Sequence, residues 1–487
     1  MNVSSVLRRR SPLAGLARRE LPRAHVVAQS VSAVAPSAAM ATTPALVAAS
    51  AGRGAPVSVA IAAVVALLVA SGITAFTRRM AAPGSLYTFT AKGLGPLAAL
   101  VCAVALLIGY AFLAMAALVG FAQYAHALAV RVGWSALPAA PAVAGLVAVG
   151  SLGVASCVAV GARVSARVTL ALEAVSIALV AGVLVVVLGH GGGLPGAAPL
   201  GLDGGGPAGI VAGVVPALAA FIGFESAAAL GPEARRPFRT VSRAILGTVG
   251  VATALYLFAT YAQVRHPGGG RADAARGWAA ALDAGLATSF LACALAATTA
   301  LTRLLFVLGR EGVAPTALGR THPARSTPHV AALCAAPVVA AVPCGLLALG
   351  RDPAQVFAWV MGMLTYGHMT AYLLVSVAAP VFLRRIGELT VPAVATAAVV
   401  VPVLVVVSAT YSGSGAPGAD GWVPVTFAGL LAAGLAGVHW LRTRAPHRLA
   451  AVGLYDETTV EDLCAAAESG GATTGVAVTA SAARGNG

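Results

Sequence analysis

The chain has 487 residues, 59% of them hydrophobic and only 10% charged, whereas ordinary soluble domains carry about a quarter charged residues. This composition excludes a soluble globular protein. A formal net charge of +15, from 31 basic against 16 acidic residues, raises a nucleic-acid footprint as one reading, and the positions of the arginines decide it.

A membrane-crossing helix takes about 20 mostly apolar residues. Apolar runs bounded by Arg, Pro and Gly predict five such helices near Ala24 to Ala51, Val57 to Phe76, Pro96 to Ala125, Pro138 to Gly161 and Val168 to Leu188. A Gly-rich loop follows, with clusters at Gly191 to Gly193 and Gly204 to Gly206. Five more helices are expected near Pro207 to Leu230, Val241 to Val264, Ala279 to Leu308, His329 to Leu349 and Pro353 to Leu383. Two others, near Val391 to Tyr411 and Val423 to Leu441, complete an all-α polytopic membrane protein of about twelve helices.

The organisation follows. A basic N-terminus over residues 1–23 precedes a transmembrane domain over 24–442, with repeats at about 24–188 and 207–383 and two extra helices over 391–441. A polar tail, 443–487, is expected to be cytoplasmic with little fixed structure, apart from one short amphipathic helix over Asp456 to Ala467.

Lys and Arg accumulate in cytoplasmic loops. With the N-terminus inside, only Arg53, Arg131, Arg265, Arg271, Arg276 and Arg351 fall on the far side, and the other 25 of the 31 basic residues collect on the near side. Both termini are therefore expected to be cytoplasmic, in a multi-pass protein of the cell membrane. The +15 reads as an arginine layer against anionic lipid headgroups rather than a nucleic-acid surface. Arg8 to Arg10 loosely suggest a twin-arginine leader. The apolar stretch behind them is too long for a leader's core, and its loss would upset the charge segregation, so it is expected to remain.

Chemistry in such a chain resides at helix interruptions and at ionisable groups in the membrane. The first segment carries Ser32-Ala33-Val34-Ala35-Pro36-Ser37-Ala38-Ala39, a mid-span proline flanked by small residues, with Pro44 beyond it. The sixth carries Phe221-Ile222-Gly223-Phe224-Glu225-Ser226, with Pro216 before it. Each opens a set of five helices, the arrangement of inverted-repeat carriers whose first and sixth helices unwind at the bilayer midplane and bind substrate by their backbone. The plainer alternative is that each proline or glycine merely kinks its helix.

Glu225 is the sharpest single residue, because a mid-membrane carboxylate costs about 2.5 kcal/mol or more. It serves either as a proton-exchanging group or as a permanently protonated acid bonded to a neighbouring helix. Glu173 is expected to pair with Arg163 or Arg167 near the end of its helix, and Asp283 to be solvated. His368 is either a polar cavity residue or a satisfied interior histidine. Thr298 and Thr299 either offer oxygens to a sodium ion or bond their own backbone.

Six isolated cysteines, Cys102, Cys157, Cys293, Cys334, Cys344 and Cys464, form no CxxC pair and read as small apolar residues. No histidines are paired at metal spacing. The only lysine, Lys92, stands in no phosphate-binding GxxxxGK loop, so an ATP-driven pump motif is absent. No cofactor, resident metal, enzyme chemistry or nucleic-acid partner is expected.

The run Phe221 to Ala228, then Pro232-Glu233-Ala234-Arg235-Arg236-Pro237 and Ser242-Arg243-Ala244-Ile245, closely resembles the sixth-helix signature of the amino acid-polyamine-organocation permeases. Pro83 to Phe89 through Gly93-Leu94-Gly95-Pro96 resembles that family's loop into the third helix, and Arg303 through Pro315 to Thr327-Pro328 its eighth-helix exit. The resemblance runs from about Ala24 to Arg385. It implies a five-plus-five inverted-repeat fold with helices 1 and 6 broken, and secondary transport of an amino acid or small amine by alternating access.

By motif position, Pro36, Ser37, Ala38 and Ala39 would hold a substrate carboxylate, and Phe221, Ile222, Gly223, Phe224 and Glu225 its ammonium. Arginine-agmatine exchangers of the family place a proton-sensing glutamate where Glu225 stands. Their gating tryptophan is replaced here by Ala219, the usual glycine-serine-glycine of the first helix by Pro36-Ser37-Ala38, and a fifth-helix lysine of some cationic members by Ser176. Coupling by protons through Glu225, or exchange, is the expected mode. A sodium-coupled carrier using Thr298 and Thr299, or a nontransporting membrane sensor with the same fold, stands as the alternative.

Overall fold

The computed structural model describes residues 11–134, 138–189, 206–265, 278–413 and 421–456. The glycine clusters from Gly191 to Gly205, the arginines Arg8 to Arg10, Arg271 and Arg276, Cys464, and the acidic helix expected beyond Asp456 lie outside these residues.

The first expected segment is two helices, α1 (Arg23–Val34) and α2 (Pro36–Ala51), and a 3-10 turn at Gly52–Gly54 leads into α3 (Ala55–Thr77). Next come α4 (Leu86–Leu94), α5 (Pro96–Arg131), α6 (Ala139–Val160) and α7 (Ala162–Gly189). The second half begins with α8 (Gly206–Ala219), continues as a 3-10 run over Phe224–Glu233, and proceeds through α9 (Pro237–Arg265), α10 (Ala279–Arg310), α11 (His329–Ala348) and α12 (Pro353–Arg385). Helices α13 (Val391–Gly413) and α14 (Trp422–Arg444) close the order, and the described residues contain isolated bridges but no strand.

Local chemistry explains many boundaries. Proline opens α2, α5 and α12, where its missing N–H costs nothing and its fixed φ suits the first turn. The Asp352 carboxylate caps α12 by accepting from the Ala354 N–H at 2.8 Å. The short buried helix α4 occupies what the sequence suggests is loop, between a turn at Ser85 and Gly95 at φ 94°.

Among the described residues, eleven helical runs are long and apolar enough to cross a membrane. The first, Arg23–Thr77, has 55 residues. At 1.5 Å per residue that is about 82 Å, over twice a hydrocarbon core of about 30 Å, so with the turn at Gly52 it suffices for two crossings, as the twelve expected segments require. The apolar window of α10 is 89% buried, against 17% and 11% for α13 and α14. Helix α10 is thus the central post, and the last two helices lie at the periphery.

Residues 443–456 correct the expectation of a loose tail from Thr443. Arg448 donates to the Gly312 carbonyl at 2.9 Å, and the N–H groups of Gly453 and Leu454 donate to Glu311 Oε1 at 2.8 and 2.7 Å. The Tyr87 hydroxyl donates to the other Glu311 oxygen. Burial pushes the Glu311 carboxyl up to about 7, against these stabilising bonds. Asp456 then accepts from Arg18 at 2.9 Å and Ser11 at 2.8 Å. This strap therefore ties the end of α10 to α4 and to the segment before α1.

Candidate functional site

The first helix breaks at Ala35, the residue before Pro36, which takes left-handed φ 49°, ψ 58°. Pro36 has no N–H, and Ala39 N–H donates to the Ala35 carbonyl at 3.0 Å. The first turn of α2 therefore leaves the N–H groups of Ser37 and Ala38 outside its own ladder, with no capping side chain. Pro36, Ser37, Ala38 and Ala39 are all buried. This is the positive end of a helix dipole at the centre of the protein.

The sixth segment breaks at Gly223, φ 110°, ψ −13°, a backbone state that favours glycine. Phe221 and Ile222 form the turn leading into it, and Phe224 and Glu225 open the 3-10 run beyond it. A Cβ at Gly223 would lie 2.6 Å from the Ala33 carbonyl oxygen, so the two breaks touch through a gap that only glycine fills. Ser30 Oγ donates to the Phe224 carbonyl at 2.5 Å and Ser226 Oγ to the Gln29 carbonyl at 3.1 Å. At the far end, Leu21 N–H donates to the Glu233 carbonyl and Arg235 N–H to that of Leu21, at 2.8 and 3.0 Å. Helix α1 and the 3-10 run are thereby tied along their length.

Glu225, fully buried, is held by hydroxyls from two other helices. Tyr110 of α5 donates to Oε1 at 2.9 Å and Tyr372 of α12 donates to Oε2. The Tyr372 oxygen also accepts the Gly223 N–H at 3.3 Å, so one phenol holds both the break and its carboxylate. His368 places Nε2 3.7 Å from Glu225 Oε1 while Nδ1 lies 2.9 Å from the Leu364 carbonyl. Its ring meets Tyr110 edge-on at 5.1 Å, so His368 belongs to the Glu225 cluster. Tyr110 and Tyr372 escape sequence reasoning because a lone tyrosine in an apolar helix resembles ordinary core.

Other positions differ from the sequence expectations. Arg303, counted with the near-side arginines, is 2% exposed on α10. Its Nε and Nη2 reach Glu233 Oε1 and Oε2 at 2.8 and 3.1 Å, a forked pair. Its Nη1 donates to the Thr299 carbonyl at 3.1 Å, which sets a guanidinium beside the expected sodium ligands Thr298 and Thr299. Asp283 is buried rather than solvated and pairs with Arg131 at 2.5 Å. Glu173 is also buried, and among the described residues no arginine pairs with it: Arg163 pairs with Glu20 at 3.1 Å.

The model of the Amino acid permease family matches residues 25–412. The branched-chain amino acid permease BcaP of Bacillus subtilis (strain 168) is 27% identical over 321 residues, 58% of this chain and 65% of that protein. BcaP of Lactococcus lactis subsp. cremoris (strain MG1363) is 34% identical over 141 residues, 26% of this chain and 29% of that protein. The chain thus aligns with less than two thirds of either relative's length. A solved Eremococcus coleocola manganese transporter, in complex with an aromatic bis-isothiourea substituted compound, aligns over 86% of this chain and 94% of its own at 13% identity and TM-score 0.48. With the family model spanning most of its 487 residues, including both broken segments, the chain belongs to the amino acid permease family.

Proposed function

We propose that the protein is a secondary carrier that moves an amino acid or related small amine across the cytoplasmic membrane by alternating access, driven by protons or run by exchange. One observation carries this reading: two interrupted helices meet at Ala33 and Gly223, with the open N–H end of α2 beside them. That end favours a carboxylate, while the carbonyl ends of α1 and α8 favour an ammonium group. Pro36 to Ala39 would hold the former, and Phe221 to Glu225 the latter.

Glu225 is the proposed proton-coupling group, since its oxygens join the broken sixth segment to α5 and α12 through Tyr110 and Tyr372. The arginine distribution supports a cytoplasmic position for both termini, with the arginine layer against anionic lipid. Branched-chain amino acids are the first substrates to test, as both aligned relatives are branched-chain amino acid permeases. The Arg303 guanidinium on the Thr299 carbonyl weighs against a sodium ion held by Thr298 and Thr299.

Purified protein in proteoliposomes should take up labelled leucine, isoleucine or valine in response to an imposed pH gradient, and Glu225→Gln should abolish that response. Unchanged pH dependence in the variant would remove Glu225 from the mechanism.

A further inference from the structure

A groove with an empty volume of about 340 Å³ lies between α3, α12 and α13 and contains none of the residues at the two helix breaks. Small side chains wall it: Gly72 and Ala75 on α3, Ser376 and Ala379 on α12, and Ala393 and Ala397 on α13. Helices α3 and α12 already touch beside it, since a Cβ on Gly72 would lie 3.8 Å from that of Ala379. The outer wall is α13, whose apolar window is only 17% buried, and its Ala393 and Ala397 are half-buried. The groove therefore opens on the hydrocarbon of the membrane. Atoms that line a void forfeit their dispersion contacts, so a bilayer fills such a space with a lipid chain.

One end of the groove is strongly positive. On α3 the wall residues Ser71, Gly72 and Ala75 continue in steps of three and four to Arg78 and Arg79, which places both arginines on the same helix face. On α12, Leu383 lines the groove and is followed directly by Arg384 and Arg385. Arg79 sits at the mouth: its Nη1 donates to the Ala75 carbonyl at 2.6 Å, and its Nε donates to Oε2 of Glu388, between α12 and α13, at 3.0 Å. Arg385 Nη1 donates to the Lys92 carbonyl at 2.9 Å. Among the described residues, the exposed side chains of Arg78 and Arg384 have no hydrogen bond or ion pair. Four arginines thus stand against one glutamate where the groove ends, and two of the guanidinium groups are free to pair with phosphate oxygens. A zwitterionic headgroup brings its own positive charge to that surplus, whereas an anionic one does not.

We propose that this groove binds one anionic phospholipid, with an acyl chain held between α3, α12 and α13 and the phosphate held by Arg78 and Arg384. Binding depends on the membrane-crossing helices and not on the cargo they carry. The test is thermal melting of the purified full-length protein in mixed micelles at rising mole fractions of dioleoyl phosphatidylglycerol, since a ligand of the folded state raises the melting point by mass action. Dioleoyl phosphatidylcholine, with the same chains, and inorganic phosphate, with none, are the controls. Phosphatidylglycerol should raise the midpoint to a plateau at mole fractions where neither control moves it. Arg78→Gln should raise the half-effective mole fraction by about fivefold, the roughly 1 kcal/mol of one basic side chain near an anionic headgroup. Ala397→Leu, which fills the groove and leaves every charge in place, should raise it at least as far.

Equal responses to the two lipids overturn the proposal, and so does a response to inorganic phosphate. A half-effective mole fraction that Ala397→Leu leaves unchanged also overturns it, because the lipid would then be held by the arginine layer at large and not by the groove. If Ala397→Leu does not fold, an unchanged value in Arg78→Gln overturns it instead. A protein that shows the expected lipid response but takes up no branched-chain amino acid would refute the proposed substrate and leave the lipid site standing.

Discussion

The two interruptions lie at similar depth, after 12 residues of α1 and 14 of α8, yet they are built differently. In the first, Ala35 alone turns left-handed and regular helix resumes at once. In the sixth, a turn through Gly223 leads into 10 residues of 3-10 helix, where such runs usually stop at three or four. A left-handed residue that is not glycine costs about 1–2 kcal/mol, and a following proline narrows its choices further. The first break thus concentrates strain in one residue and presents a rigid N–H end. The sixth spreads it along a 3-10 stretch, whose hydrogen-bond geometry is poorer than that of an α-helix, and this half of the site carries Glu225.

The 3-10 run is fastened at its far end by the Arg303–Glu233 pair, whereas α1 is held to α10 by the neutral bond from Gln29 Nε2 to the Ala296 carbonyl at 2.8 Å. Removing one partner of a buried ion pair typically costs about 3–5 kcal/mol. Arg303→Met is therefore expected to show the largest loss of thermal stability, by that amount. The double variant Arg303→Met, Glu233→Met should recover most of it, because no buried charge is left alone. A single variant that melts with the wild type would mean that the 3-10 run is held by its backbone bonds to residues 19–21 instead.

Gly223→Ala comes next. Its methyl would meet the Ala33 carbonyl at 2.6 Å in a backbone state that alanine rarely adopts. Strain and overpacking together imply a loss of about 2–3 kcal/mol. Leucine uptake should fall with it, because the breaks must part to admit the methyl. Wild-type uptake by this variant would show that their close contact is dispensable.

Proline, glycine and arginine made most of this architecture readable in the sequence. Expected segments such as Val57 to Phe76 and Val423 to Leu441 differ from α3 and α14 by one to three residues at each end. The break before Pro36 was legible because proline strains the turn preceding it, and Glu225 because a carboxylate in an apolar run is rare. The partners were not. Arg167 lies six residues from Glu173, about 240° around the helix, so the expected pairing fails on geometry that spacing alone does not show. The bonds from Tyr110, Tyr372 and Arg303 join residues between 70 and 147 positions apart, which no local pattern encodes.

The smallest effect is the most discriminating. Ala35→Gly should relieve the 1–2 kcal/mol left-handed strain, against about 0.4–1 kcal/mol for the added freedom of the unfolded chain. Part of the remainder goes to the buried methyl, since Ala35 is 7% exposed. The net expectation is stabilisation of less than about 1 kcal/mol, read as a slightly raised melting midpoint. Equivalent positions would then answer opposite substitutions with opposite signs: glycine at the first break strengthens the fold, while alanine at the second weakens it. A lowered midpoint for Ala35→Gly would mean that packing of the methyl outweighs the backbone strain, and that the first break, like the second, is held by its neighbours and stores little energy of its own.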